Sequence, residues 1–524
     1  MEKRPLPLIP YPHSIQRQPG SLELIDSLEI FYHPYFQNEM SVFRRQVASL
    51  IATEITYIKE EACLFLRQTE SEELSSGSYQ LDITPSQIHL AARERSSMFA
   101  GLQTLVQLMR AGSDAGHLPL QIECMRILDQ PNYEWRGFML DEARHFQGAE
   151  TVKMILDWMS YLKMNVFHWH LSDDQGFRVE SKRFPLLTEI GSYRPATQRG
   201  GMLSRKVNMQ SHQGFYTQAE ISELVEYAAD RHITVVPEID VPGHSSAILA
   251  AYPELGCRDR DYVVQPYWGI HSDILCVGQK STLDFLEQLY GELLDIFPGP
   301  YFHSGGDEAP KKRWHRCPRC QELTRQLGYA KVEQLQTYLA NHLNRFLQSQ
   351  GRTMIAWNEV LSEDLDADII IQFWLGNKTE LIDHAKTGRR IILSNYNAYY
   401  LDHTYTHSSL EKVYIFDPLF GDLKSHTASI LGIEAPLWTE FVPTRARLDW
   451  QLFPRLLAIA ESAWLGNSRP GYDHFHRRLA GLLPQLEQAG IGYAALDQVD
   501  PPAWRRLGSG ISLLQEGKGV AEKD

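Results

Sequence analysis

The sequence lacks an apolar run of the roughly 18 residues that a membrane-spanning helix needs. It also lacks an excess of basic residues, because 51 lysines and arginines stand against 65 acidic residues, for a formal net charge of −14. Nucleic acids and anionic membranes bind clustered Lys and Arg side chains, so neither is expected as a partner. No apolar segment of signal-peptide type follows Met1, so a cytoplasmic protein is expected, or a secreted one if a leader has been removed.

Cysteine is scarce, with six residues in 524, which excludes a disulfide framework as the basis of the fold. Cys317 and Cys320 form a CxxC motif, which is typical of half of a zinc site or of a redox pair. No second CxxC or HxxxH motif lies at a suitable spacing. We therefore interpret this CxxC as a structural feature of a loop, and we predict neither a metal nor a cofactor.

The motifs of several enzyme classes are missing: a nucleophilic serine elbow, a Walker phosphate loop, and a GxGxxG turn after a strand. The chain instead has many carboxylates and eleven tryptophans. In the run 301–308, an apolar strand turns at two glycines and ends in the adjacent acids Asp307 and Glu308. Burying both acids is costly unless they share a proton or accept strong hydrogen bonds. The pair therefore indicates catalysis, and its alternative interpretation is a solvated turn.

The pattern of apolar residues divides the chain into three parts. Residues 1–130 predict a small α+β domain, with strands at 21–33, 62–67, 78–83 and 120–125 and helices at 39–55 and 95–109. Residues 131–466 repeat strand, loop and helix eight times, which predicts an α/β fold of the (β/α)8 TIM barrel type; an open doubly wound sheet is the alternative. Residues 467–524 predict a C-terminal extension with one helix at 474–489 and a polar tail.

The predicted barrel strands all end in polar or aromatic residues. These strands are 136–140, 165–170, 233–239, 301–304, 353–357, 369–374, 390–394 and 430–434, with helices at 149–163, 217–231, 281–297, 331–350, 379–387 and 452–464. Because the loops after barrel strands meet at one face, the residues that follow should form a single deep site. Carboxylates between aromatic walls are typical of glycoside hydrolysis, although no partner carboxylate at nucleophile distance can be identified for the central pair.

Several runs resemble glycoside hydrolase family 20, the β-N-acetylhexosaminidases. They are 136–141 with 144–146, 165–176, 236–244, 303–308 and 434–440, in the order found in the family. The resemblance implies an exo-acting retaining enzyme that releases terminal β-linked N-acetylglucosamine or N-acetylgalactosamine from oligosaccharides or glycoconjugates. It also implies substrate-assisted catalysis, in which the 2-acetamido oxygen of the sugar attacks and an oxazolinium intermediate forms. The expected partner is thus a carbohydrate with a terminal N-acetylhexosamine.

The resemblance also implies roles for individual residues. Glu308 would be the general acid and then the base, and it must hold its proton near neutral pH. Asp307 would accept the acetamido N–H, and Tyr400 would donate to the acetamido oxygen. The remaining residues implied are the sugar-binding Arg144, Trp357, Trp374, Asp402, Trp438 and Glu440, and a supporting pair, Asp173 and His244, that tunes Glu308. We match Asp173 rather than Asp174 to the family position.

Two other functions are consistent with parts of the sequence. One is a metal-dependent barrel hydrolase, because His168 and His170 alternate on one strand, and His244 and His303 lie at strand ends. The other is a non-catalytic sugar-binding relative that has kept the pocket.

Overall fold

The computed structural model describes residues 5–56, 62–70, 74–112, 119–502 and 504. Most of the predicted polar tail therefore lies outside the described residues. Across these ranges, every helix is too short or too polar to cross a lipid bilayer.

The N-terminal part is a seven-stranded mixed sheet with two helices. Its strands are β1 (Ser14–Leu24), β2 (Ser27–Tyr32), β3 (Ala52–Ile55), β4 (Leu64–Gln68), β5 (Tyr79–Ile83), β6 (Ile88–Ala92) and β7 (Leu120–Asp129), in the spatial order β1-β7-β5-β6-β4-β2-β3. The helices are α1 (Gln37–Val47) and α2 (Arg95–Ala111), and α2 packs on β5, β6, β7 and α1. Alternate residues of the strands, such as Leu28 and Ile30, are buried, as expected for a sheet whose core lies on one face.

Three N-terminal predictions were wrong in detail. The single strand predicted at 21–33 is two strands, β1 and β2, separated at Ile25 and Asp26. The helix predicted at 39–55 ends at Val47, and its last four residues form β3, which pairs with β2. Strand β6 was not predicted, although its buried and partly exposed residues alternate as in a strand.

The rest of the fold is a closed barrel of eight parallel strands, which confirms the predicted fold class. The strands are Trp135–Asp141, Val166–His170, Thr234–Glu238, Tyr301–His303, Thr353–Trp357, Ile370–Phe373, Ile391–Leu393 and Ile430–Leu437. The first strand pairs with both the second and the eighth, which closes the barrel. The first and second strands are almost entirely buried, as expected where both faces of a parallel sheet are covered.

Helices surround the barrel, and all of the principal ones except Arg445–Leu452 lie at predicted positions. The principal ones are Ala149–Tyr161, Gln218–Ala229, Lys280–Leu294, Gln334–Ser349, Lys378–Lys386, Arg445–Leu452 and Arg455–Leu465. Shorter helices lie in the loops, at Leu186–Glu189, Ser246–Ala251, Pro318–Gln326, Tyr396–Tyr399 and Leu410–Ile415. The single C-terminal helix predicted at 474–489 is instead two, Tyr472–Leu479 and Leu483–Gln488, followed by Leu496–Val499. Gly481 lies between the helices Tyr472–Leu479 and Leu483–Gln488. A Cβ added at Gly481 would lie 3.0 Å from the Pro7 side chain, which is closer than ordinary van der Waals contact.

Candidate active site

Asp307 and Glu308 follow the fourth barrel strand through a turn that only glycine permits. Gly305 and Gly306 have φ of +66° and +101°, and a Cβ at Gly305 would lie 1.8 Å from Asp240 Oδ1. Glu308 itself has φ of +44°, in the left-handed region that side chains other than glycine rarely adopt. The Asp307 side chain is 12% exposed, whereas that of Glu308 is 33% exposed. The two acids thus differ in surroundings: one is held inside the protein and the other opens toward solvent.

Asp240 is a fully buried acid that lies next to Asp307. Asp240 Oδ1 accepts a hydrogen bond of 2.9 Å from the Gly306 N–H, and its carboxyl approaches Asp307 within 4.8 Å. Burial, and then the negative charge of Asp307, hold the pKa of Asp240 well above its ordinary range. Burial also raises the pKa of Asp307, although the charge of His244 and the contact with Asp240 oppose that increase. Asp240 is therefore the more readily protonated acid of the pair, and as a neutral acid it can donate a hydrogen bond to the Asp307 carboxylate.

His244 lies between both acids and a second carboxylate pair. Its Nε2 is 3.8 Å from Asp307 Oδ2 and 3.6 Å from Glu308 Oε2. Its Nδ1 is 3.1 Å from Asp173 Oδ1 and 3.4 Å from Asp174 Oδ2. Burial alone would lower the pKa of His244, but Asp173 and its neighbours hold that pKa well above the ordinary range. His244 is consequently a buried cation that faces Asp307 and Glu308.

Asp173 connects His244 to Arg144. Asp173 Oδ2 is 2.7 Å from Arg144 Nη2 and 3.0 Å from His170 Nε2. Burial would raise the pKa of Asp173, but Arg144 and His244 hold it well below its ordinary range, so Asp173 is ionised. Asp174, the neighbouring acid, instead accepts a 2.9 Å hydrogen bond from the Ser246 N–H.

Arg144 continues the ring of contacts toward the eighth strand. Its guanidinium stacks 4.9 Å from the centre of the Trp438 ring and lies 3.9 Å from Glu440 Oε1. Burial, and then the charge of Glu440, raise the pKa of Asp402 to about 8. Asp402 Oδ1 is buried without a hydrogen-bond partner among the described residues. Asp402 and Glu440 are therefore polar groups at the site with capacity to bind hydroxyls.

Aromatic rings form the other wall. Trp357 and Trp438 are 6.0 Å apart between ring centres, Trp438 and Tyr400 are 6.4 Å apart, and Tyr400 stacks on Trp374 at 5.9 Å. The Trp374 Nε1–H donates to Glu359 Oε1 at 3.0 Å. Burial, and then the charge of Asp307, raise the pKa of Glu359 to about 8. Glu359 therefore links the Trp374 ring to Asp307. These contacts join the aromatic rings and the carboxyl groups into one cluster.

A layer of buried charged residues, here called the barrel polar chain, lies inside the barrel and contacts this cluster through Trp357 and His170. Glu238 accepts from Trp357 Nε1 at 2.7 Å and pairs with His168, His170 and His303. Glu434 accepts from Trp135 Nε1 at 2.8 Å and pairs with His168 at 2.8 Å. Burial opposes protonation, but Glu434 and Glu238 raise the pKa of His168 to about 9. His168 and His170, the proposed ligands of the metal-hydrolase alternative, are thus ion-paired within the barrel.

The contacts described above connect the site residues selected from the sequence into one cluster. The structure adds three that were not selected: Asp240, Glu359 and Glu238. Asp240 and Glu238 lie in the run 236–244 that resembles the family, so the sequence shows where they lie along the chain. It does not show that the Asp240 carboxyl lies next to that of Asp307.

The interpretation of Cys317 and Cys320 as an isolated CxxC motif in a loop was incomplete. The structure brings Cys257 and Cys276 to them from the loop after the third strand, and all four sulfurs lie within 4.8 Å of one another. Sequence spacing could not indicate this, because these two cysteines form no motif of their own.

The chain matches two family models. The glycosyl hydrolase family 20 catalytic domain matches residues 133–467, and domain 2 of the same family matches residues 6–130.

Named relatives agree with these models. A β-hexosaminidase of Porphyromonas gingivalis is 36% identical over 435 residues, which are 80% of this chain and 55% of the relative, so the chain spans little more than half of that protein's length. A β-hexosaminidase of Vibrio furnissii is 33% identical, over 87% of this chain and 76% of the relative. Among solved structures, the exo-β-N-acetylglucosaminidase of Vibrio harveyi in complex with N-acetylglucosamine aligns with a TM-score of 0.84 and 29% identity, covering 94% of this chain and 78% of that one.

Proposed function

The chain belongs to glycosyl hydrolase family 20, and on this basis we propose that it releases terminal β-linked N-acetylhexosamine from oligosaccharides or glycoconjugates by substrate-assisted catalysis. The family and the glycosidase class expected from the sequence are confirmed by these matches. The solved relative that holds N-acetylglucosamine supports this class of sugar as the substrate.

The unequal exposure of Asp307 and Glu308 carries the proposal. A retaining enzyme with a protein nucleophile needs two carboxyls about 5–5.5 Å apart on opposite sides of the bond. Here the two acids are adjacent in the chain, and the better buried one, Asp307, is fixed by Asp240 and faces the His244 cation. Such an anion suits the binding of an acetamido N–H and of the positive charge that develops on it.

In the first step, Glu308 donates its proton to the glycosidic oxygen while the bond from that oxygen to the anomeric carbon breaks. The acetamido carbonyl oxygen forms the new bond to the anomeric carbon, and Asp307 stabilises the resulting oxazolinium N–H. Tyr400 donates its hydroxyl hydrogen to the acetamido oxygen and so holds it in the attacking position. The glycan leaving group departs with the proton from Glu308.

In the second step, the Glu308 carboxylate takes a proton from water as the water oxygen attacks the anomeric carbon. The bond to the acetamido oxygen breaks and the acetamide is restored, with net retention of configuration. Trp357, Trp374 and Trp438 exclude water from the acetamide and pack on the apolar faces of the sugar. Arg144 holds ring hydroxyls by charge-assisted hydrogen bonds, and Asp402 and Glu440 form further hydrogen bonds to them.

A panel of four aryl glycosides tests the proposal: gluco and galacto sugars, each with and without the N-acetyl group. Rapid turnover should require the N-acetyl group, because that group supplies the nucleophile. Equal turnover of the 2-hydroxy sugars, or a sugar ester trapped on a side chain, would refute the mechanism. Binding of N-acetylglucosamine without turnover of any aryl glycoside would identify a sugar-binding relative instead.

The variant Glu308→Gln tests the acid. Loss of general acid–base catalysis should lower kcat by about 10²–10⁴-fold. The matched control is Glu322→Gln, which removes a carboxylate on the exposed face of the helix Pro318–Gln326, where it pairs with Arg325. Near-normal turnover by Glu308→Gln would refute the assignment, as would an equal loss in the control.

A further inference from the structure

The four clustered cysteines join two loops of the barrel. Cys257 and Cys276 lie in the loop after the third strand, whereas Cys317 and Cys320 lie after the fourth, at the start of the helix Pro318–Gln326. Cys276, Cys317 and Cys320 are buried, and Cys257 is partly exposed. The cluster thus contains four of the six cysteines of the chain.

The spacing of the sulfurs matches a tetrahedral metal site. The Sγ–Sγ distances are 3.6 Å for Cys276–Cys317, 3.7 Å for Cys276–Cys320 and 3.9 Å for Cys257–Cys320. Four sulfurs held about 2.3 Å from a central zinc ion lie about 3.8 Å apart along each edge of the tetrahedron. A disulfide requires a separation of about 2.05 Å, so these distances are those of ligands around one ion and not of bonded pairs.

The surrounding backbone is arranged for close approach. A Cβ at Gly278 would lie 2.3 Å from the Cys320 nitrogen, so the chain after Cys276 can pass the CxxC turn only as glycine. Arg319, between the two cysteines of the CxxC motif, donates from its Nη2 to the Gly256 carbonyl at 2.8 Å. A zinc ion with four thiolates has a net charge of −2, and a neighbouring guanidinium offsets part of it.

We propose that Cys257, Cys276, Cys317 and Cys320 bind a structural zinc ion. Four protein ligands leave no open coordination position, which distinguishes this site from a catalytic zinc centre. The inference is independent of the proposed glycosidase function, since it depends on sulfur geometry alone.

The position of the cluster indicates which loops a zinc ion would hold together. Leu275, next to Cys276, donates its N–H to the Pro242 carbonyl at 3.0 Å, two residues before His244. Its own carbonyl accepts a 2.8 Å hydrogen bond from Trp314 Nε1, shortly before Cys317. The zinc ion therefore fastens the loop that contains His244 to the loop that follows Asp307 and Glu308.

Metal analysis of the purified unmodified protein is the first test. We expect one zinc per chain by plasma mass spectrometry, and release of that zinc when a mercurial reagent titrates the thiols. Protein prepared under reducing conditions that contains no stoichiometric zinc, or contains iron in its place, would overturn the proposal. So would an intact mass that reveals two disulfides among these cysteines.

Serine variants locate the metal. Cys276→Ser and Cys317→Ser should each lose the zinc and lower the melting temperature, whereas Cys63→Ser, outside the cluster, should retain both. Full zinc content in Cys276→Ser and Cys317→Ser would place the ion elsewhere and refute the site. If a variant fails to fold, the zinc content and thiol titration of the unmodified protein still decide the question. Unmodified protein that contains the zinc but never turns over aryl glycosides would refute the proposed function and leave the proposed metal site standing.

Discussion

Replacement of Asp240 tests whether a neutral acid positions Asp307. The pKa of Asp240 is held well above its ordinary range, so we expect Asp240 to carry a proton that it can donate to the Asp307 carboxylate, while its Oδ1 accepts from the Gly306 N–H. Asparagine reproduces both functions, since its amide donates and its carbonyl accepts. Alanine supplies neither. We therefore expect Asp240→Asn to keep most of the activity and Asp240→Ala to lose it.

The size of the loss follows from the bond that disappears. A hydrogen bond to an ionised group contributes about 1.5–3 kcal/mol, which corresponds to about 10- to 150-fold in kcat/KM if Asp307 is used in the transition state. The assay is kcat/KM on an aryl N-acetylglucosaminide near pH 6, with the melting temperature of each variant as the check on folding. Asp240→Asn as damaging as Asp240→Ala would show that a carboxylate is needed, and a harmless Asp240→Ala would show that no such bond operates.

Two further variants test the electrostatics. Asp307→Asn should reduce kcat/KM for N-acetylated substrates far more than for 2-hydroxy sugars and should abolish inhibition by thiazoline mimics of the intermediate; an equal loss for both substrate classes would contradict its role. Burial raises the pKa of Glu142 to about 7, so its contribution to stability is complete below about pH 4.5 and is lost as the pH rises through 7. With a pKa of about 7 in the folded protein and about 4.5 in the unfolded chain, the free energy of unfolding should fall by about 2.5 kcal/mol from pH 5 to pH 8. Glu142→Gln should remove that fall in urea titrations at the two pH values, and an unchanged pH dependence would refute it.

The barrel was predictable because its signal is local and repeated. Each strand, such as Thr353–Trp357, is a short apolar run, and each is followed by polar residues that packing does not require. Errors arose where tertiary contacts decide the outcome. Residues 52–55 extend the amphipathic pattern of the preceding helix, yet they form an edge strand because β2 offers them hydrogen-bond partners.

The sequence indicated which residues could form the candidate site, but it did not indicate how their charges and protons depend on one another. Motifs placed Asp307, Glu308 and His244 at strand ends, but a proton shared with Asp240 depends on burial and on distances between loops. The cysteine cluster is the extreme case. Its members span residues 257 to 320, and only the folded loops bring their sulfurs into contact.

The barrel polar chain has a consequence for how this fold can change. Glu238 and Glu434 are fully buried, and each is neutralised by partners on several strands, with His168 common to both. Removing one partner of such a buried pair costs about 3–5 kcal/mol, because a charge is left uncompensated. Substitutions in this layer should therefore depend strongly on one another. We expect His168 to be replaced during evolution only together with its partners Glu238 and Glu434. Saturation libraries at single positions in this layer would yield mostly inactive clones, whereas coordinated exchanges of the whole set could survive.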